Sequence, residues 1–182
     1  MFMKMNYMIN NFSIVIPVFN EEEIFLKSAS KIYKICLEMN MPFEIIFSEN
    51  GSTDNTIKLI ETFIGDKDNC FMINSNYANY GLALKNGFES VKNEIVISFD
   101  IDYFSKKFLK QALQLDENYV ALVASKRLSE SEDERTLIRK IATSIFVFIL
   151  KILFRTSLSD THGMKAIRLS LIHISEPTRR SY

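Results

Sequence analysis

The chain of 182 residues predicts an α/β fold, a mostly parallel sheet with helices on both faces. Three observations carry this. Short β-branched and aromatic runs alternate with longer segments of helical period along the chain, the rhythm of strand–helix–strand units. Each of the early runs stops at polar, turn-forming residues, as strands of such sheets do. A composition that is 47% hydrophobic, with 15 Phe and no Trp, suffices for one sizeable core, and no repeat or low-complexity linker divides it.

The elements follow in order. Ser13-Ile-Val-Ile-Pro-Val-Phe-Asn-Glu-Glu-Glu23 gives a strand over 13–19 and a helix over 21–39. Asn20 is a good N-cap, and glutamates suit the first turn, where the helix dipole favours negative charge. Phe43-Glu-Ile-Ile-Phe-Ser48 gives a second strand, feeding Glu49-Asn-Gly-Ser-Thr-Asp-Asn-Thr56. There Gly51 supplies a tight turn, and Ser52, Thr53 or Asp54 can cap a helix over 54–64. A strand over 69–74 precedes Asn79-Tyr-Gly-Leu-Ala-Leu-Lys-Asn-Gly87, a helix over 79–91 whose small residues allow close approach to a strand or ligand. The remainder reads as strand 94–100, helix 105–115, strand 119–125, helix 135–155 and a strand near 163–167. Ligands of such sheets bind beyond the carboxyl ends of the strands. Pro17, Asn50, Gly51 and Asp102 all fall at such ends, so one cleft can collect them.

The segment Glu94-Ile-Val-Ile-Ser-Phe-Asp-Ile-Asp102 closes on two carboxylates. Residues two apart on an extended chain point the same way. Asp100 and Asp102 would then lie side by side, and a divalent cation with oxygen ligands is the simplest neutraliser of their repulsion. The competing reading is a strand that ends in two solvated acids.

Taken as a set, in order and spacing, Ile-Pro-Val-Phe-Asn-Glu, Glu-Asn-Gly-Ser-Thr-Asp-Asn-Thr, Asn-Tyr-Gly-Leu-Ala-Leu-Lys-Asn-Gly and Asp-Ile-Asp resemble glycosyltransferase family 2 over about residues 12 to 168. Ala124-Ser-Lys-Arg127 and Ser159-Asp-Thr-His-Gly-Met-Lys-Ala-Ile-Arg168 look most like its polyprenyl-phosphate sugar transferases, the dolichol-phosphate mannose synthase group. The resemblance implies the GT-A fold, a nucleotide-sugar donor and Mg2+ or Mn2+ held by Asp100 and Asp102. It implies a donor site drawn from Pro17, Phe19, Asn20, Glu21, Glu49, Asn50, Gly51, Ser52, Gly81, Lys85 and Asp100. Asp160 matches an aspartate that orients acceptor or metal; a helix-boundary cap is its structural alternative. With Asp100 and Asp102 it completes the expected catalytic set. Transfer would invert the anomeric configuration, the acceptor attacking from the face opposite the leaving diphosphate.

Three positions depart from the family pattern. Glu49 and Asn50 stand where two aspartates are usual before Gly-Ser, which puts an amide at the base-contacting position and leaves the preferred nucleotide open. Phe104 stands where some relatives carry a further polar metal ligand, and Met164 replaces an aromatic after Gly163.

A net charge of zero hides an asymmetry. Residues 1–125 carry 11 Lys and Arg against 16 Asp and Glu, a net of −5, whereas residues 126–168 carry 9 against 5, a net of +4. No basic stripe with interleaved aromatics appears, which disfavours nucleic acid. A site for a lipid phosphate fits better, with Lys126, Arg127, Arg135, Arg139 and Lys165 as acceptor-binding candidates. Within 135–155 the apolar stretch Ile141 to Phe154 would span about 21 Å as a helix, against about 30 Å of hydrocarbon. It is too short to cross a bilayer comfortably; an interfacial helix flanked by Arg139, Lys140 and Arg155, or a buried core helix, both fit. The amphipathic helices of the polyprenyl-phosphate enzymes favour the interface, so peripheral membrane contact is expected.

Cys36 and Cys70 lack ligand spacing and read as buried thiols in a reducing compartment. The first eleven residues hold no apolar core of signal-peptide length, so the expected location is the cytoplasm, on the cytosolic face of a membrane. Leu169-Ser-Leu-Ile-His-Ile-Ser-Glu-Pro-Thr-Arg179 looks like the conceptual translation of a transposase-based sequencing adapter. On that reading the catalytic domain runs over 1–168 and is cut short, residues 169–182 are a non-native tail, and His173 carries no information. The expected function is inverting sugar transfer to a polyprenyl phosphate. Transfer to a glycan hydroxyl, or a catalytically silent nucleotide-binding fragment, are the alternatives.

Overall fold

The computed structural model describes residues 10–116, 121–124 and 163–169. The chain divides into two compact units, Met1–Leu122 with Met164–Tyr182, and Val123–Gly163. The description that follows concerns the first; of the second, only three residues are described.

The elements are β1 (Phe12–Val18), α1 (Phe25–Leu37), β2 (Phe43–Glu49), α2 (Thr56–Ile64), β3 (Cys70–Ile73), α3 (Tyr80–Ser90), β4 (Ile95–Ser98), α4 (Lys106–Leu113), β5 (Ala121–Val123) and β6 (Lys165–Arg168). The six strands form one sheet in the order β3-β2-β1-β4-β6-β5. β1 runs parallel to β2 and to β4, and β2 runs parallel to β3. β6 lies antiparallel to β4, with Ser98 opposite Lys165 and Ile95 opposite Arg168. The expected α/β class and mostly parallel sheet are therefore found. The expected helix over 135–155 lies outside the described residues.

β1 is buried along its whole length, as an unbroken apolar strand in the middle of a parallel sheet should be. Its alternate residues serve two cores. On one face Phe47 meets Phe25 of α1 edge-on at 5.2 Å between ring centroids, and Phe63 of α2 at 5.7 Å. Such aromatic pairs contribute roughly 0.5–1.5 kcal/mol beyond area burial. On the other face Val15, Ile46 and Val96 pack against Leu84 and Phe88 of α3. Gly87 makes this approach possible, since a Cβ there would fall 2.4 Å from Val15 Cγ1. The Ser48 hydroxyl pins the same helix by donating to the Ala83 carbonyl at 2.6 Å.

Arg168 is buried, so it is a structural residue rather than part of a basic surface. Its guanidinium pairs with Glu94 at 3.1 Å and donates to the Leu115 carbonyl at 3.3 Å, fastening β6 to β4.

Most boundaries shift by one or two residues, and two of the differences bear on the site. α1 starts at Phe25, not 21, and its N-cap position is Ile24, with no side-chain cap bond. β4 ends at Ser98, and Asp100 forms an antiparallel bridge with Tyr103 around a turn.

Candidate functional site

Sheet order determines where a ligand can sit. From β1 the chain proceeds outward through β2 and β3, then returns to place β4 on the other side of β1. The crevice above the carboxyl ends of β1 and β4 is such a topological switch point. A cleft of about 270 Å³ opens there, lined by Pro17, Val18, Phe19, Glu21, Asn50, Tyr80, Asp100, Ile101 and Asp102.

Its floor is the end of β1. Asn20 takes a left-handed backbone, φ 52°, and is not a helix cap. Its Oδ1 accepts from the Thr53 N–H at 2.8 Å, while its own N–H donates to Ser52 Oγ at 3.0 Å. The next two N–H groups continue the seam, Glu21 onto Thr56 Oγ1 at 2.8 Å and Glu22 onto Asp54 Oδ2 at 3.2 Å. Of the three capping candidates, Asp54 bonds the first helical N–H, that of Thr56, at 2.9 Å. Asn20 and Ser52 thus weld two loops together and do not line the cleft.

The end of β2 is fixed in the same way. Gly51 holds φ +76°, and a Cβ on it would come 2.8 Å from the Tyr77 carbonyl carbon. The buried Glu49 carboxylate accepts from the N–H groups of Gly51 and Ser52, so it organises this turn instead of facing the cleft. Asn50 is 6% exposed; its N–H donates to the Val18 carbonyl at 2.9 Å, and its Oδ1 accepts from the Asn79 N–H at 2.6 Å. Asn79 caps α3 by accepting from the Leu82 N–H at 3.0 Å. Of the two α3 candidates, Lys85 points to solvent and pairs with Glu89 at 3.7 Å, and neither it nor Gly81 lines the cleft.

The acidic wall follows β4. The expectation that Asp100 and Asp102 sit side by side on an extended strand is corrected: they lie in the turn closed by the Tyr103 N–H onto the Asp100 carbonyl at 3.0 Å. The turn still directs both into one cleft. Tyr80, which sequence reasoning passed over, donates its phenol to Asp100 Oδ1 at 3.2 Å. Burial, then the Asp100 charge and this bond, raise the phenol's pKa. Burial, then the charges of Asp102, Asp54 and Asp100, also hold the Glu21 carboxyl above its ordinary range. The only sign that could have pointed to Tyr80 is its position within the third motif, one residue after a helix cap.

No Lys or Arg lines the cleft among the described residues. Among them, too, no three His, Cys, Asp or Glu side chains form a ready-made metal cage. A hard divalent cation held at Asp100 and Asp102 would have to take its other oxygens from water or ligand. Phe104 holds no polar role; Lys31 Nζ lies 5.1 Å from its ring centroid. Lys165 lies in β6 opposite Ser98, at the cleft end of the sheet, without lining the cleft. Lys126, Arg127, Arg135, Arg139 and Asp160 lie outside the described residues. No helix among the described residues is long and apolar enough to cross a membrane.

Three comparisons bear on this geometry. The profile of the family described as Glycosyl transferase family 2 matches residues 13–174. The undecaprenyl-phosphate 4-deoxy-4-formamido-L-arabinose transferase of Proteus mirabilis (strain HI4320) is 34% identical over 97 residues, 52% of this chain and 29% of that protein. The chain thus spans less than a third of the curated relative's length in that match. Among solved structures, a mannosyltransferase of Pyrobaculum calidifontis in complex with GDP-Man and Mn2+ is similar at a TM-score of 0.64 and 18% identity, covering 93% of this chain and 47% of that one. Glucosyl-3-phosphoglycerate synthase from Mycobacterium tuberculosis, in complex with UDP, gives 0.59 and 17%, covering 89% and 58%. These structural likenesses show a shared fold.

Proposed function

Because the chain belongs to glycosyl transferase family 2, we propose that it transfers a sugar, with inversion, from a nucleoside-diphosphate donor to a polyprenyl phosphate. The observation that carries this is the pair Asp100 and Asp102 in a cleft at the switch point of the sheet, opposite the Asn50 amide. The likeness to the Proteus undecaprenyl-phosphate sugar transferase supports the choice of acceptor.

Asp100 and Asp102 would hold Mg2+ or Mn2+, which supplies neutralisation of the charge that develops on a departing diphosphate. Tyr80 keeps the Asp100 carboxylate turned into the cleft through its phenolic bond. Pro17 and Phe19 offer apolar surface to the nucleoside at the other end. The acceptor attacks the anomeric carbon from the face opposite the leaving group, and configuration inverts. A glycan hydroxyl would need a general base for this step. A phosphate monoester does not, since its second pKa of about 6 leaves it ionised at neutral pH. Arg127 would grip that phosphate and position it, with Lys126, Arg135, Arg139 and Lys165 adding positive potential. Asp160 would orient acceptor or metal. Work would proceed at a membrane surface, with 135–155 as the interfacial segment on the cytosolic side.

The test uses the full-length protein, an undecaprenyl phosphate acceptor and a labelled donor. Label extracted into organic solvent reports transfer, and label left as free sugar reports hydrolysis. In Arg127→Ala, transfer is expected to fall far more than hydrolysis, because water offers the guanidinium no handle. An equal fall in both would remove the lipid phosphate from the reading.

A further inference from the structure

The four helices differ in charge. α2 balances Lys58 with Glu61, and α3 balances Lys85 with Glu89. α1 and α4 hold three lysines each and no Asp or Glu. Residues 10–116 contain ten lysines, so six of them sit on these two helices, within a region (residues 1–125) whose net charge is −5.

The two helices present these charges together. On α1, Lys27, Lys31 and Lys34 recur at intervals of four and three, on the side opposite the buried Phe25, Ala29, Ile32 and Cys36. On α4, Lys106, Lys107 and Lys110 are exposed, while Phe108, Leu109 and Ala112 are buried. The helices touch: Lys106 pairs with Glu38, the C-cap of α1, and Lys31 Nζ lies 5.1 Å from the ring centroid of Phe104, just ahead of α4. The Lys106 bond and charge, then the charges of Lys110 and Lys34, hold the Glu38 carboxyl below its ordinary range, so lysines of both helices converge on one acid. Beside the α1 lysines, Leu26 and Leu37 are 42% and 53% exposed, eleven residues apart and so on one side of the helix.

We propose that this α1–α4 face is a docking surface for an anionic lipid bilayer. The choice of a bilayer rests on the membrane-surface reading above; the position of the face does not. Residues 10–116 contain no arginine, so the face lacks the guanidinium fork that grips one particular phosphate or carboxylate. Ammonium groups in a row suit a diffuse negative surface, and the lysine stems with the two leucines suit the apolar layer beneath the headgroups.

The full chain is sedimented with vesicles of equal parts phosphatidylglycerol and phosphatidylcholine, and with pure phosphatidylcholine. Wild type is expected to bind the first, to ignore the second and to be released by salt. Neutralising Lys27, Lys31 and Lys34 together to Gln should lower the partition coefficient by about fivefold per lysine, roughly a hundredfold in all. The charge-matched control, Lys58, Lys85 and Lys92 to Gln, should lose far less. Equal losses in the two triple variants overturn the proposal and leave the membrane-surface reading standing. Absence of wild-type binding to either vesicle overturns both. Should the α1 variant lose its helical circular dichroism, Lys107→Gln with Lys110→Gln makes the same comparison, with about a twentyfold loss expected. A soluble acidic partner would attract the lysines and ignore the leucines. Leu26→Ser with Leu37→Ser, which alters no charge, should therefore weaken vesicle binding about tenfold. Wild-type binding in that variant assigns the face to such a partner and overturns the bilayer.

Discussion

Tyr80, the first residue of α3, donates its phenolic hydrogen to Asp100 across 3.2 Å and so links that helix to the acidic turn after β4. A carboxylate in a turn has rotamer freedom that one on a strand lacks, and the phenol removes part of it. Tyr80→Phe keeps the ring and deletes the bond. We expect Mn2+-dependent nucleoside-diphosphate affinity to fall about fivefold, on the order of 1 kcal/mol for one hydrogen bond. The melting temperature should not move, because Tyr80 is half-exposed. Calorimetry and a thermal scan check the two halves; equal affinity would show that Asp100 needs no such support.

Asp102 is exposed and contributes little to the core. Asp102→Asn should therefore leave far-UV circular dichroism and melting unchanged while abolishing metal-dependent nucleotide binding. Titration with Mn2+ in the presence of a nucleoside diphosphate decides it, and undiminished affinity in the variant would remove Asp102 from the metal site.

The contact of Gly87 with Val15 predicts a compensating pair. Gly87→Ala should destabilise by about 1–3 kcal/mol, since the new methyl overlaps a buried, χ1-restricted valine. Val15→Ala alone opens a cavity. Combined, the two changes should cost less than their sum by at least about 0.5 kcal/mol, the range of coupling between touching residues. Urea denaturation of the four proteins measures this.

The two thiols predict a pH dependence. Burial pushes Cys36 up to about 12, with the neighbouring Cys70 adding to the shift. Burial likewise raises Cys70 to about 11, against a smaller opposing pull from Lys67. The unfolded chain ionises near 8.5, so the fold favours the neutral thiol. Their contribution is complete below about pH 8.5 and is lost as pH rises toward those folded values. Melting temperature should accordingly fall between about pH 9 and 11, and replacing both cysteines by Ala should flatten that fall. At pH 8 a disulfide reagent should label neither thiol in the folded protein and both in guanidinium.

Much of this site was legible in the sequence, and what was not has a common cause. The turn at Gly51 and the pair of carboxylates that follows β4 are both legible from local chemistry within a few residues. Asn20 looked like a cap by the same local rule, yet its side chain goes to Thr53, a partner distant in sequence. Once the carbonyl of Asn20 is committed there, α1 begins four residues later than expected, at Phe25. Glu49 reads as a cleft residue by position, and its carboxylate instead closes the turn at Gly51 and Ser52. Tyr80 was invisible because its significance lies in reaching Asp100, across the gap between two strand ends. Such loop-to-loop bonds depend on which strands become neighbours, and residue spacing does not report that.

The place of β6 in the sheet has a consequence for synthesis on the ribosome. β1 to β4 are contributed by successive segments, and each can pair soon after it emerges. The outer neighbour of β4 is Lys165–Arg168, which arrives much later. Until then the backbone of Ile95 to Ser98 presents unsatisfied donors and acceptors along an apolar strand, a template for pairing with another nascent chain. The Arg168–Glu94 clasp is thus the event that retires this hazard, and a polysome crowded with chains stalled before residue 165 would be the place to find aggregates.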